Sequence, residues 1–153
     1  MMWSCVILFI LTLVLDPQGI RPGSFFSPSN LSLFIFGASG AIPVFEAGRW
    51  WTVLSAGWLH GGILHNFFNM MALRQLAPAA GEMYGASRMI IIYTVATVFG
   101  FTFSSVAGLF RLPLAGAGFT VGASAGIFGL LGALLYYGKR SGSTMVSDQA
   151  KGW

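Results

Sequence analysis

Charge is what this sequence has least of. Only 8% of its 153 residues are Asp, Glu, Lys or Arg, against about 25% in an average soluble domain. Hydrophobic residues make up 56% and the mean hydropathy is +0.76. So few ionic groups cannot cover a water-soluble globule, and the composition points to a lipid environment. Cysteine is almost missing: Cys5 stands alone in an apolar run, which excludes a disulfide framework. The eight basic residues give a net charge of +4 but lie singly along the chain. With no basic block or basic helix face they serve as topology signals and headgroup contacts, and nucleic acid is not expected as a partner. Strict apolar/polar alternation is absent too, which disfavours a β-barrel. No internal repeat or low-complexity tract appears.

What is present is a series of continuous apolar runs. The first, residues 2 to 15, ends at Asp16-Pro17 and would form a helix of roughly 21 Å. A signal peptide has an apolar region of this length, but no basic stretch precedes the run and no small-x-small site follows it, so a first membrane helix is expected. Residues 16 to 30 carry three prolines and two glycines and read as a loop. Residues 31 to 45 are hydrophobic yet short and broken by Gly37, Gly40 and Pro43, which suits an interfacial or re-entrant segment. Trp50, Trp51 and Trp58 mark a water boundary.

Three further spans follow. One runs from Leu59 to Ala77, stopped by Pro78; another from Met89 to Phe110, after a turn at Gly81 to Arg88 and before Arg111-Leu112-Pro113; the last from Gly118 to Tyr137. Residues 139 to 153 read as a flexible tail. The expected architecture is one all-α domain, a polytopic bundle of four membrane helices. Arg74, Arg88, Lys139, Arg140 and Lys151 fall on one side against Arg21, Arg49 and Arg111 on the other, so the first side, with the N-terminus, is expected in the cytoplasm.

Polar groups inside membrane sequence are costly to keep and mark function. Two stretches hold them. His60 to Asn69 contains the only two histidines, His60 and His65, and Thr120 to Gly129 sets Ser124 among small residues. Counting inward from Leu59 and Gly118, His65 and Ser124 each lie six residues deep, about 9 Å, and so at one level. Asn69, four residues beyond His65, shares its helix face. Gly118, Gly122 and Gly126, with Ala125, Gly129 and Ala133 beside them, would let the last helix approach its neighbours closely. On span four alone, Ser124 reads as one more small packing residue. His65 and Asn69 together offer donors to a developing oxyanion. His60 reads as a satisfied polar group at the helix mouth. A metal is not expected: His60 and His65 are five apart, off the spacing that puts two ligands on one helix face, and no third ligand is evident. Gly122-Ala123-Ser124-Ala125-Gly126 matches the GxSxG of soluble hydrolases only by accident, because no strand precedes it.

The sequence from Gly48 to Met70, together with residues 122 to 133, resembles the rhomboid intramembrane serine proteases. It carries the histidine, four residues, histidine, three residues, asparagine pattern, followed later by Gly-x-Ser. The resemblance implies a rhomboid-like fold whose first loop, residues 31 to 58, is partly embedded in the outer leaflet. It implies Ser124 as nucleophile; His65, Asn69 and the Ser124 N–H as oxyanion donors; Gly122 as the glycine of the Gly-x-Ser turn; and His60 in support. Transmembrane proteins would be the substrates, with the site towards the outer leaflet and no cofactor required.

The same resemblance exposes departures. The family's general base is a histidine on a sixth helix, and these residues contain none after His65. Lys139 is fifteen residues from Ser124, roughly 22 Å along a helix, too far to replace it. The fifth and sixth helices are thus expected to be missing, leaving residual proteolysis at most. The alternative is an inactive rhomboid-like adaptor that binds transmembrane segments. Thr52 stands where an arginine often follows the Trp pair, and Gly81 where a glutamate is common, with Glu82 out of register.

Overall fold

The computed structural model describes residues 1–18, 26–110 and 118–141. Residues 19–25 of the expected loop, the Arg111-Leu112-Pro113 stop and the tail beyond Ser141 lie outside them. Helix α1 (Met2–Val14) uses the first apolar run. Asp16, just past its end, does the next piece of work: its carboxylate accepts from the N–H and hydroxyl of Ser29, both at 2.6 Å. Ser29 in turn caps α2 (Asn30–Phe36) by accepting from the Ser32 N–H, the usual repair for an unpaired first-turn donor. The Ser32 hydroxyl donates to the Thr12 carbonyl at 2.7 Å, fastening α2 to α1.

Helix α2 ends at Gly37, whose φ of 105° only glycine adopts without strain. Its carbonyl accepts from the Ser55 hydroxyl at 2.8 Å. A π-helical turn at Ile42–Glu46, the short α3 (Thr52–Ser55) and a 3-10 turn at Ala56–Trp58 complete this first loop. Trp50 and Trp51 are exposed as a boundary pair should be. Trp58 is not part of that belt: it turns inward and meets Tyr93 edge to face, 6.0 Å between centroids.

Helix α4 (Ile63–Tyr84) continues through Pro78 instead of stopping at Ala77. A proline costs a helix its own N–H donor and crowds the carbonyl four residues back. Here the buried Leu76 and Ala80 on either side hold the helix in the core and override that cost. The turn expected over Gly81 to Arg88 shrinks to Gly85 alone, and α5 (Ala86–Leu109) follows at once. It is the one helix among the described residues that is long and apolar enough to cross a membrane by itself. Its outward Ile91, Val95, Phe99 and Phe103 are exposed, as lipid-facing residues are.

Helix α6 (Ser124–Ser141) begins six residues later than expected and runs into the anticipated tail. Before it the chain is extended: Ser39 and Thr120 exchange backbone hydrogen bonds at 3.1 and 2.8 Å. Gly118 and Gly122 therefore lie outside the small-residue stripe. Gly126 and Gly129 belong to it, since a Cβ on Gly126 would sit 2.8 Å from Thr97 Oγ1 and against the Tyr93 ring, and one on Gly129 would overlap Ala96. Cys5, Leu73, Tyr93, Ile127, Leu130 and Leu134 join α1, α4, α5 and α6 in one core. At the far end the Tyr84 hydroxyl donates to the Ala133 carbonyl at 2.6 Å.

Candidate active site

The site is built where two helices begin. Ser124 is the first residue of α6 and His65 the third of α4. Neither lies six residues down a helix, yet the two are neighbours, both beside Gly122. This start has a chemical consequence: the first N–H groups of a helix have no intrahelical partner, and the helix dipole leaves partial positive charge there.

Gly122 shows how close the two elements come. Its φ is 134°, and a Cβ there would lie 2.7 Å from His65 Cε1, 2.8 Å from His65 Nε2 and 3.8 Å from Ser124 Oγ. Glycine is required twice over, by backbone conformation and by space. Its N–H donates to the Ala56 carbonyl at 3.0 Å, pinning this turn to the first loop. Ser124 is half-buried and His65 is exposed.

Asn69 lies one turn along α4 and is buried. Its amide donates to the His65 carbonyl at 2.8 Å, which uses one of its two N–H groups and leaves the other to point elsewhere. Asn66, on the same buried face, has a carbonyl oxygen without a partner among the described residues.

His60 departs from the satisfied polar group expected of it. It is fully buried, neither ring nitrogen has a hydrogen-bond partner among the described residues, and its ring meets His65 edge to face at 5.2 Å. Burial first, and then the neighbouring His65, lower the His60 pKa to about 4, against the Trp58 backbone. It is a neutral ring at ordinary pH. Beyond His65 a cavity of about 270 Å³ opens between the first loop and the segment ahead of α6, bounded by Leu33, Ala38, Phe119 and Val121.

Sequence reasoning missed Arg49. Its guanidinium donates to the carbonyls of Phe34 and Ile35, in the last turn of α2, and stacks 4.4 Å from the Phe34 ring centre and 5.7 Å from that of Trp51. A cation at a helix C-terminus complements the dipole, and the planar fork fits paired carbonyls. Thr52 is fully buried and its hydroxyl donates to the Arg49 carbonyl at 2.7 Å.

The Rhomboid domain family model matches residues 47–149, most of the chain. The chain belongs to the rhomboid family. It is similar to the rhomboid protease GluP of Bacillus subtilis (strain 168), with 39% identity over 110 residues, 72% of this chain and 20% of that protein. It is also similar to RHOMBOID-like protein 4 of Arabidopsis thaliana, with 32% identity over 118 residues, 77% of this chain and 28% of that one. The matched stretch thus spans under a third of these two relatives. Membership makes this rhomboid an integral membrane protein with a helical bundle fold.

Proposed function

We propose that these residues supply the nucleophile and the oxyanion-binding groups of an intramembrane serine endopeptidase, one that hydrolyses a peptide bond in or beside a substrate's transmembrane helix. The observation that carries this reading is the crowding at Gly122, where the position a Cβ would take lies 2.8 Å from His65 Nε2 and 3.8 Å from Ser124 Oγ, so that hydroxyl and imidazole are neighbours. Helices α1, α4, α5 and α6 serve as four membrane helices, with the first loop dipping into the outer leaflet and the N-terminus in the cytoplasm.

Ser124 Oγ attacks the scissile carbonyl. The carbonyl oxygen then gains charge, and its partners are the Ser124 N–H at the start of α6, a His65 ring N–H and the second N–H of Asn69. Donors fixed before the charge develops need no reorganisation. His60 keeps the His65 ring in place from behind. Ser124 must lose its proton for the attack, and His65 cannot take it while also donating to the oxyanion. These 153 residues hold no third histidine to take it, and the 153-residue polypeptide by itself is expected to acylate poorly. No metal or cofactor enters.

A fluorophosphonate probe tests both halves. The 153-residue chain should label weakly, and a full-length rhomboid carrying these residues should label and cleave, both lost in Ser124→Ala. Cleavage undiminished by Ser124→Ala in the full-length context would end the assignment. A second reading is an inactive adaptor for transmembrane segments. Full-length protein that binds transmembrane peptides yet neither labels nor cleaves would support it.

A further inference from the structure

The end of the bundle away from Ser124 holds a second concavity. It has a volume of about 390 Å³ and is walled by Met1 and Met2 at the start of α1, Leu73, Ala77 and Pro78 of α4, and Met89 of α5, with Arg74 as the charged side chain in its lining. That volume falls in the range of about 300–1,000 Å³ usual for small-molecule sites. Arg74 is nine residues along α4 from His65, about 14 Å at the helical rise, so the two places are separate. From the geometry of this groove we propose a binding site for one anionic phospholipid of the leaflet opposite the Ser124 site.

Three features select that occupant. The wall is methionine, leucine, alanine and proline, which suits a flexible acyl chain; methionine in particular adapts to irregular shapes. Arg74 is exposed, and no carboxylate among the described residues pairs with it. An unpaired guanidinium beside an apolar groove complements a phosphodiester, which it can grip with two parallel hydrogen bonds. Pro78 adds a third: lacking an N–H, it leaves the Arg74 carbonyl without its helical donor. That carbonyl can accept from a headgroup hydroxyl. Basic pockets between membrane helices on the cytoplasmic side bind such headgroups, and Arg88, Lys139 and Arg140 lie at helix ends on the same side.

The inference is independent of the catalytic reading and is tested without an activity assay. Protein is placed in phosphatidylcholine nanodiscs containing a small fraction of a lipid with a photoreactive acyl chain, either phosphatidylglycerol or phosphatidylcholine, and adducts are mapped by mass spectrometry. The expected result is at least fivefold more adduct from phosphatidylglycerol on residues 73–90. Arg74→Gln should abolish that preference and Arg74→Lys should retain much of it. Ala77→Trp, which fills the groove, should reduce labelling by both lipids, and free glycerol phosphate should not compete. Equal labelling by the two lipids, a preference that survives Arg74→Gln, or protein-to-protein crosslinks in place of lipid adducts would each overturn the proposal. Competition by free glycerol phosphate would reassign the groove to a soluble phosphate compound.

Discussion

The His65 imidazole fills the space that a side chain at Gly122 would need: a Cβ there would stand 2.7 Å from one ring carbon and 2.8 Å from Nε2. Gly122→Ala therefore has two penalties, the collision and a backbone strain of about 1–3 kcal/mol for a non-glycine residue in that conformation. The expected outcome is a lowered melting temperature in detergent together with loss of cleavage in a full-length context. Wild-type thermal stability in the alanine variant would refute the crowding.

His65→Ala and Asn69→Ala should act on kcat more than on KM. If each removes one oxyanion donor the loss is about 3–4 kcal/mol, or two to three orders of magnitude. For Asn69, whose amide also holds the His65 carbonyl, Asn69→Asp is the sharper variant. It keeps the shape and offers only acceptors, so it should be at least as inactive as the alanine form. Steady-state kinetics on a transmembrane substrate check this.

His60 makes stability depend on acid. Its folded value of about 4 lies below the ordinary 6.5, so between those limits the unfolded chain binds a proton that the folded one refuses. Stability is then full above about pH 6.5 and falls as pH drops towards 4, by up to about 3 kcal/mol across the window. His60→Phe keeps the edge-to-face contact with His65, has no nitrogen to protonate and should make that slope shallower. His60→Ala should instead open a cavity costing about 2–4 kcal/mol. Unfolding measured from pH 4 to 8 for all three proteins separates these effects.

Arg49→Gln should loosen the first loop while leaving the bundle folded. Hydrogen exchange of the α2 amides is expected to quicken about tenfold, with exchange in α5 unchanged. Arg49→Lys should rescue little, because an ammonium cannot span the Phe34 and Ile35 carbonyls as a planar fork does. Exchange in α2 that did not respond would remove Arg49 from its holding role.

Gly126→Leu tests the contact between α5 and α6. Tyr93 and Thr97 leave no room for a side chain, and overpacking of this kind costs about 1–3 kcal/mol or more. A drop in melting temperature with the helical content retained is the expected signature.

The helices were legible in the chain because apolar runs and their polar interruptions are strong signals, and the pairing of His65 with Asn69 follows from a spacing of four. Boundaries were less so. Pro78 looked like a stop because its local cost is visible, while the burial of Leu76 and Ala80 that overrides it is not. Gly118 looked like a helix start because small residues at spacing four suit a helix. The Ser39 and Thr120 pairing that holds this segment extended involves residues 81 positions apart, which no local pattern reveals. Arg49 was counted as a topology charge, since nothing in its neighbourhood points to carbonyls fifteen residues upstream. His60 was given a polar surrounding by its position near Trp58, whereas packing closed around both faces of its ring.

The antiparallel bridge between Ser39 and Thr120 does more than shape a loop. With Ile42 N–H on the Gly118 carbonyl and Gly122 N–H on that of Ala56, it sews the first loop to the extended segment that leads into Ser124. That flank is closed: a polypeptide approaching Ser124 across it would have to break these backbone hydrogen bonds one after another.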